Sequence, residues 1–320
     1  MDMPVHPVGW AGSGGIALEL RQLAYVVQIA EERSFSRAAE KLHITQPSLS
    51  QQLSKLEKEL GVLLFKRNTS SVELTHAGAV FVEKATRILD QVEQLRREME
   101  DIAELRSGRL VIGSLPITGA HLLPRVIPVF RAAYPEIELV LVEETTRQLE
   151  KLTAEGGTDV SLLTLPLTEP TLVGEPVYEE DILLAVPAGH PLAAAGKPVP
   201  LAGLKGEPFV TLKKGQGFRA MVHELCQSAG FSPKVVFEST NIETVQSLIA
   251  AGMGIGFVPR MVIRHAPDPE EPVPVYLPLA ERPTRTLVIA YRKGRYLSKA
   301  AEAFIRTFRS VIAPRGQAQE

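Results

Sequence analysis

The chain has a single cysteine, Cys226, among its 320 residues. One cysteine excludes a disulfide framework within the chain and is typical of a reducing compartment. No apolar run approaches the roughly 18 residues that a helix needs to span a bilayer. The opening residues, MDMPVHPVGWAGSGG, lack the basic start and the apolar stretch of a secretory signal. These absences predict a cytoplasmic protein that does not contact a membrane.

The composition excludes a disordered or collagen-like chain, because 45% of the residues are hydrophobic and 22% are charged. The length predicts two or three domains. The net charge of −2 gives no sign of nucleic-acid binding. Locally, however, seven basic residues stand against three acidic ones between Arg33 and Arg67, and four against seven between Glu83 and Glu104. This contrast predicts a small anion-binding head joined to a different kind of body.

Two short helices and a tight turn are predicted near the N-terminus, after a Gly- and Pro-rich stretch that indicates a flexible tail. Ser34 or Ser36 is suited to cap the second helix. Thr45 is suited to cap a third helix that Gly61 ends, because glycine readily adopts the left-handed conformation found there. The arrangement predicts a helix-turn-helix at about 35–54.

The third helix has an apolar face and a polar face. Leu49, Leu53, Leu56 and Leu60 fall four, three and four residues apart, as one buried stripe requires. The other face carries Pro47, Ser48, Gln51, Ser54, Lys55 and Lys58. Hydroxyl, amide and ammonium groups of this kind bind base edges and phosphates in a major groove. Alone, the segment would be more typical of a surface helix; the neighbouring turn and local basic charge favour DNA binding.

A hairpin wing and a long helix follow. Leu63–Arg67 and Val72–Leu74 flank a polar turn and predict the wing. The pattern from 76 to 106 is helical, with a heptad-like seam of Ile88, Val92, Leu95, Met99 and Ile102. Such a seam pairs with a second copy of the chain or packs on its own domain. We favour a dimerising linker helix.

The remaining two thirds alternate between strand-like and helix-like segments, which predicts α/β units with parallel strands. A strand at Leu110–Gly113 precedes a helix at Leu122–Ala133, and a later strand is expected at Ile182–Val186.

The N-terminal residues SFSRAAEKLHITQPSLSQQLSKLEKELGVLLFKR and LTHAG closely resemble the winged helix-turn-helix of LysR-type transcriptional regulators. The later FESTNIETVQSLIAAGMGIGFVP resembles the second-lobe helix and turn of that family, so the resemblance covers about 18–312. It implies a multidomain α plus α/β protein whose two-lobed, Rossmann-like C-terminal domain is similar to type 2 periplasmic solute-binding proteins. The implied parts are a tail at 1–17, a winged helix-turn-helix at 18–75, a dimerising linker helix at 76–106, an effector-binding domain at 107–312 (lobe I 107–181 and 283–312, lobe II 182–282), and a tail at 313–320.

The resemblance further implies a homodimer, often a dimer of dimers or homotetramer, that binds double-stranded operator DNA and is switched by a small molecule. RNA polymerase is an implied further partner. By position, Gln46, Pro47, Ser50 and Gln51 would contact DNA, and Arg67 would hold phosphates near the wing. We add five neighbours to this expected interface: Ser36, Arg37, Thr45, Ser48 and Lys55.

The expected DNA interface departs from the family pattern. Gln51 stands where many members carry a basic residue, and Ser70, Ser71 and Glu73 replace a wing often rich in arginine. The salt dependence of binding should therefore be flatter, by about 0.9 log unit for each phosphate that the protein does not contact.

Hydroxyl groups cluster at three expected helix starts, where exposed backbone N–H groups can bind an anion. They belong to Ser114 and Thr118, to Thr145 and Thr146, and to Ser239 and Thr240 beside Asn241. Each hydroxyl by itself is more typical of a plain helix cap, but three such starts around one cleft favour a ligand. We therefore expect a small organic or inorganic anion as effector.

Relatives that bind small carboxylates or sulfate-like anions use positions matching Ser114, Thr146 and Phe218, as the resemblance implies. Pro116, Thr164, Thr211 and Arg219 complete the expected effector site. The Arg219 guanidinium holds a carboxylate in one interpretation and pairs with Glu224 or another surface acid in the other.

The resemblance also bears on the lone cysteine. Peroxide-sensing members of the family pair two cysteines nine residues apart, and here Gly217 occupies the first position and Cys226 the second. A disulfide switch within one chain is therefore excluded, and Cys226 is expected to be a buried apolar residue.

No pattern predicts a catalytic residue, a cofactor or a metal. The glycines of Gly252-Met253-Gly254-Ile255-Gly256 follow a helix instead of opening one, so they predict a helix end and not a dinucleotide loop. The seven histidines are scattered. A solute-binding transport protein would share the two lobes, but it would not need the helix-turn-helix and would need export, for which no signal is visible. An architectural DNA-binding protein would not need the hydroxyls of the cleft.

Overall fold

The computed structural model describes residues 18–67, 72–102, 108–194, 197–264 and 272–312. The tails predicted at 1–17 and 313–320, the wing tip at 68–71 and the end of the linker helix at 103–106 lie outside the described residues. The chain divides into two compact units, Met1–Arg96 and Arg97–Glu320.

The first unit is a small helical domain with a two-stranded wing. Its elements are α1 (Leu20–Glu32), α2 (Phe35–Lys41), α3 (Gln46–Leu60), β1 (Phe65–Arg67), β2 (Val72–Leu74) and α4 (His76–Ile102), of which α4 continues past the division between the units. Strands β1 and β2 pair antiparallel. The predicted helix-turn-helix therefore consists of α2, a turn in which His43 has a φ of 53°, and α3.

Hydroxyl groups cap three helices of this unit. Ser34 caps α2 by accepting from the N–H of Arg37, which decides between the two candidate residues. The Oγ1 of Thr45 accepts from the N–H of Ser48 at the start of α3. The Oγ1 of Thr75 likewise accepts from the N–H of Gly78, at 2.9 Å, at the start of α4. Each helix start is thus satisfied locally.

The core of the first unit lies between the helices and the wing. Leu49, Leu53 and Leu56 of α3 are at most 5% exposed and pack with residues of α1, α2 and the wing, whereas Leu60 is only partly buried. A β-carbon on Gly78 would lie 1.9 Å from the carbonyl oxygen of Leu64. Glycine at this position therefore allows α4 to pack directly on the wing.

The predicted seam of α4 is exposed where the structure describes it. Ile88, Val92, Leu95 and Met99 are 40–58% exposed, and the side chain of Ile102 lies outside the described part. Among the described residues, no helix is both long and apolar enough to cross a membrane.

The second unit alternates strands and helices over most of its length. Its elements are β3 (Gly108–Ser114), α5 (Pro116–Ala133), β4 (Ile137–Glu143), α6 (Thr146–Glu155), β5 (Val160–Thr164), β6 (Leu172–Val186), β7 (Pro208–Leu212), α7 (Gly217–Ser228), β8 (Lys234–Ser239), α8 (Ile242–Ala250), β9 (Gly256–Pro259), β10 (Val275–Pro278), β11 (Thr284–Arg292) and α9 (Lys299–Ile312). Between α8 and β9, Gly252 and Gly254 have positive φ, which confirms the predicted helix end.

The strands are only partly parallel, which corrects the expectation. β3 pairs parallel with β4 and β5, and β7 pairs parallel with β8. In contrast, β11 is antiparallel to β5 and β6, and β6 is antiparallel to β9 and β10. The antiparallel pairs of β11 arise because the chain leaves the first group of strands through β6 and returns to it in the opposite direction through β11.

Strand β6 joins two separately packed cores. Its hydrogen-bonded partner changes from β11, up to Asp181, to β9, from Ile182 onward. We call the part built on β3, β4, β5 and β11 lobe I and the part built on β7, β8, β9 and β10 lobe II. Two buried apolar clusters belong to lobe I and one to lobe II.

Two element boundaries differ from the predictions. β6 begins at Leu172, ten residues before the predicted strand at Ile182–Val186. Its first part, LVGEPVYEED, shows no clear alternation of apolar residues and becomes a strand through pairing with β11. Helix α5 begins at Pro116 and not at Leu122. The sequence pattern did not reveal its first turns because they contain threonine and glycine, which are weak helix formers.

Candidate functional site

The N-terminal half of α3 presents a polar surface. Because its leucines face the core, the residues between them point outward. Exposed residues of the expected interface are Ser36, Arg37, Thr45, Gln46, Pro47, Ser48, Gln51 and Lys55, and Ser50 is half-buried. This surface combines hydroxyl, amide and ammonium groups, the donors and acceptors that suit a major groove.

Glu32 at the end of α1 organises the basic residues of α2. Its carboxylate lies 2.5 Å from Nζ of Lys41 and 3.6 Å from Nε of Arg37, and its carbonyl oxygen accepts from Nη2 of Arg37. Hydrogen bonding and charge attraction by Glu32 raise the pKa of Lys41. Arg37 is exposed but already bonds to Glu32 within the same unit. The sequence did not predict this contact.

Glu57 holds the wing against α3. It is 5% exposed, and its Oε1 accepts from the N–H groups of Leu64, at 2.7 Å, and Phe65, at 3.3 Å. In the wing itself, exposed Lys66 and Glu73 pair at 3.5 Å. Arg67 ends β1, and its side chain lies outside the described part.

A cavity lies between the two lobes of the second unit. It contains about 460 Å³ of space not filled by atoms, part of it open to solvent. Its wall consists of Leu115, Pro116, Ile117, Glu144, Thr145, Thr146, Thr164, Gln216, Gly217, Phe218 and Arg285.

Three helices begin at this cavity, and no N-cap residue of the three uses its side chain as a cap. The N-cap residues are Leu115 for α5, Thr145 for α6 and Gln216 for α7. The plain-cap interpretation is therefore wrong for Thr145, and in lobe II Asn241, not Thr240, caps α8. Backbone N–H groups at uncapped helix starts attract anions, through hydrogen bonding and the helix dipole.

Half of the expected effector residues form the cavity wall. Pro116, Thr145, Thr146, Thr164 and Phe218 do so, whereas Ser114, Thr118, Thr211, Arg219 and Thr240 lie outside it. Ser114, Thr118 and Thr211 point into the packed lobes and are at most 6% exposed. Thr240 is exposed, and its carbonyl oxygen accepts from the side chain of Gln216.

Arg219 pairs with an acid inside lobe II. Its Nη2 lies 3.1 Å from Oε1 of Glu238 on β8. The pairing interpretation is therefore the observed one, with Glu238 and not Glu224 as the partner. The Nη1 atom of Arg219 is buried without a hydrogen-bond partner among the described residues.

Thr146 is the most distinctive polar group of the cavity wall. Its Oγ1 is buried and has no hydrogen-bond partner among the described residues. It lies against α7 of the other lobe, where a β-carbon on Gly217 would be 2.6 Å from it. A desolvated hydroxyl without a partner costs about 1–3 kcal/mol, which a ligand accepting its hydrogen bond would offset.

Arg285 is the main residue of the cavity that the sequence did not indicate. Its guanidinium pairs with Glu180, and its Cζ lies 5.5 Å from the ring centroid of Phe218. Burial lowers its pKa, and Glu180 opposes that shift. Sequence periodicity could not reveal it, because Arg285 and Glu180 lie on strands 105 residues apart.

Cys226 lies in the core of lobe II and is 0% exposed. Burial raises the pKa of its thiol to about 11, and the positive charge of Arg219 offsets only part of this. The expectation of a buried, apolar cysteine is confirmed.

Both units match family models. The model described as "Bacterial regulatory helix-turn-helix protein, lysR family" matches residues 20–79, and the model described as "LysR substrate binding domain" matches residues 103–313. These families consist of transcriptional regulators and not of enzymes.

Individual relatives resemble the chain over nearly its full length. The HTH-type transcriptional regulator YcgK of Bacillus subtilis (strain 168) is 40% identical over 312 residues, covering 92% of this chain and 95% of the relative. The DNA-binding transcriptional dual regulator OxyR of Escherichia coli (strain K12) is 35% identical over 294 residues, with coverage of 92% and 95%. A solved full-length OxyR variant from Pseudomonas aeruginosa superposes with a TM-score of 0.75 at 31% identity, covering 96% of this chain and 100% of that one.

Proposed function

Because this chain belongs to the LysR family of DNA-binding transcriptional regulators, we propose that it binds operator DNA in the cytoplasm and responds to a small anion. The anion would occupy the cavity between the two lobes of the C-terminal unit. The observation that carries this proposal is the convergence of three helix starts without side-chain caps on one cavity, next to the unpartnered hydroxyl of Thr146.

The proposed DNA contacts come from α2, α3 and the wing. Gln46, Pro47, Ser50 and Gln51 would meet base edges and the adjacent backbone, and Arg67 would hold a phosphate. Ser36, Arg37, Thr45, Ser48 and Lys55 would complete the interface. Their exposure, together with the apolar opposite face of α3, supports this assignment.

Fluorescence anisotropy tests DNA binding. The intergenic DNA beside the chain's own gene is compared with a scrambled duplex at two salt concentrations. Tighter binding to the native sequence, weakening with salt by about 0.9 log unit per phosphate contact, is expected. Equal, salt-labile binding to both duplexes would contradict an operator at this locus.

The chemistry of the cavity wall supports an anion as the ligand. The starts of α5, α6 and α7 provide positive helix ends, and Thr146 provides a free donor. Glu144 is the one acid of the wall and is exposed, so solvent screens its charge. The apolar residues Leu115, Ile117 and Phe218 would contact the body of an organic anion.

Calorimetry with small carboxylates and inorganic anions tests the effector. At least one anion should bind, and Thr146→Val should weaken that binding about tenfold because the hydroxyl donor is removed. Thr158→Val, at a buried hydroxyl of lobe I that already has partners in Thr153 and Ser161, is the control. It should leave the affinity of the folded protein unchanged. No heat of binding across the panel would exclude the proposed class of effector.

Self-association is proposed through α4. The exposed row of Ile88, Val92, Leu95 and Met99 suits a second copy of the chain, giving a homodimer that can assemble as a dimer of dimers. Leu95→Lys should convert dimers to monomers in light scattering, while Gln94→Lys, off the row, should not. An unchanged mass for Leu95→Lys would exclude this seam.

The regulatory step is proposed to be a change in how the dimers hold DNA. Ligand binding can shift this arrangement only by its differential affinity for the two states. Footprints and bend angles of the operator should therefore differ with and without the bound anion. Identical footprints would contradict the mechanism. Contact with RNA polymerase would follow at the promoter.

A further inference from the structure

The two strands that connect the lobes carry a buried ion pair. Glu180 of β6 and Arg285 of β11 are direct cross-strand neighbours, and their side chains are 1% and 2% exposed. The Oε1 of Glu180 accepts from Nε of Arg285 at 2.7 Å and lies 2.6 Å from its Nη2. Charges are costly to bury. The pair therefore either positions Arg285 for ligand binding or stabilises the contact between the two strands.

Two of the three guanidinium nitrogens of Arg285 have polar partners, and the third has none within the described residues. Its Nε and Nη2 face Glu180, and Nη2 also lies 3.3 Å from Sδ of Met261. The third guanidinium nitrogen, Nη1, has no hydrogen bond within the described part of the chain. Arg285 forms part of the cavity wall beside Phe218, so a ligand in the cavity would lie next to a guanidinium that has one nitrogen without a hydrogen bond.

We propose that Arg285 is the residue that recognises the charge of the effector, and that Glu180 is the counter-charge that sets the affinity. This inference rests on the proposed function and deepens it, because it assigns the anionic group to the guanidinium and not only to the helix starts. An arginine in a low-dielectric wall distinguishes a carboxylate from a neutral group of the same shape far better than a hydroxyl does. The ligand class is therefore an organic anion with a short apolar body.

Glu180 weakens the attraction between Arg285 and an entering anion, because the two negative charges compete for one guanidinium. The same carboxylate has a second partner, since its Oε2 accepts from the N–H of Met261 at 2.6 Å. Met261 packs against the cores of both lobes. An anion that draws Arg285 away from Glu180 thus acts on the contact between the lobes.

Two sets of substitutions in the pair of Glu180 and Arg285 should change the affinity for an anion in opposite directions. Glu180→Gln removes the competing charge and keeps an oxygen acceptor for Arg285, so an anion should bind about tenfold more tightly. The double variant Glu180→Gln with Arg285→Gln keeps a neutral amide pair, and the anion should bind at least tenfold more weakly. The matched control is Glu179→Gln, which removes the same charge one residue earlier, from an exposed carboxylate that accepts from Thr284. It should leave binding unchanged.

The experiment is calorimetry on the full chain with sodium acetate and sodium benzoate, each paired with its neutral amide, acetamide or benzamide. Thermal unfolding first establishes that each variant is folded. In the wild type the anion should bind better than its amide, and the double variant should lose that preference while its affinity for the amide changes less than about twofold. A purely structural role of the pair would weaken acid and amide alike.

The outcomes separate the two proposals. If neither anion binds the wild type, the proposed effector class fails and this inference fails with it. If an anion binds and Thr146→Val weakens it, but Glu180→Gln does not tighten it and the folded double variant still prefers the anion, the assignment to Arg285 alone is overturned.

Discussion

In the DNA-binding unit, the hydroxyls of Ser34, Thr45 and Thr75 cap α2, α3 and α4, whereas α5, α6 and α7 begin at the cavity without a side-chain cap. At the cavity only α6 has a hydroxyl residue, Thr145, at its N-cap, and that hydroxyl does not cap the helix, whereas the N-caps of α5 and α7 are Leu115 and Gln216. In the first region the hydroxyls thus complete the helix starts, and in the second the first backbone N–H groups have no side-chain acceptor from the N-cap residue. A capped start stabilises a helix by about 1 kcal/mol, so the uncapped starts forgo this stabilisation, as the proposed anion site would require.

The largest effect is expected from a substitution that destabilises the first unit and leaves the second unit folded. Gly78→Ala places a methyl group 1.9 Å from the carbonyl oxygen of Leu64. We expect the first unit to lose about 3 kcal/mol of stability and the chain to lose DNA binding. Urea denaturation and anisotropy measure the two effects.

The control for Gly78→Ala is Gly108→Ala, because a β-carbon on Gly108 meets nothing within 4 Å. It should shift the unfolding midpoint little. Anion binding to the second unit should survive Gly78→Ala. If both functions vanish together, the two regions do not fold independently and the comparison fails.

A smaller effect is expected at the contact between α6 and α7. Gly217→Ala would bring a methyl group to 2.6 Å from Oγ1 of Thr146. The hydroxyl must move away, so the anion should bind about fivefold more weakly while the chain stays folded. Calorimetry and thermal unfolding report the two quantities, with Gly203→Ala, which meets only Pro200 at 3.7 Å, as the matched control. Unchanged affinity would show that Thr146 does not bind the ligand.

The cap comparison itself is sharpened by two equivalent substitutions. Thr45→Ala removes a cap and should lower the free energy of unfolding by about 1 kcal/mol. Thr145→Ala removes no cap and should lower it by less than about 0.5 kcal/mol. Chemical denaturation of both variants measures the difference. Equal losses would mean that Thr145 caps α6 in solution.

The smallest expected effect concerns hydrogen peroxide. With a pKa of about 11, the Cys226 thiol is ionised to only about one part in a thousand at pH 8. Peroxide should therefore leave DNA affinity unchanged in the wild type, and Cys226→Ala should behave identically under the same treatment. Loss of DNA binding on oxidation of the wild type alone would identify Cys226 as a sensor despite its burial.

Much of the first unit could be predicted from the sequence, because its signals are local. The leucine spacing of α3, the cap at Thr45 and the left-handed end at Gly61 each depend on residues within a few positions of one another. In the second unit the first ten residues of β6 were missed, because only pairing with β11 makes that polar segment a strand. Elements that depend on a local pattern can therefore be predicted from the sequence, and elements that depend on long-range pairing cannot.

The helix-turn-helix, the order of strands and helices, and the absence of a second cysteine beside Cys226 all follow from the amino-acid sequence. Which side chains meet at the cavity depends on how the chain folds. Thr146 meets Gly217, and Arg285 meets Glu180, across separations along the chain that carry no periodic signal. A residue with a hydroxyl or a guanidinium stands in the same local sequence pattern whether its side chain caps a helix, pairs with an acid or faces a cavity. Its role depends on the partners that folding brings to it.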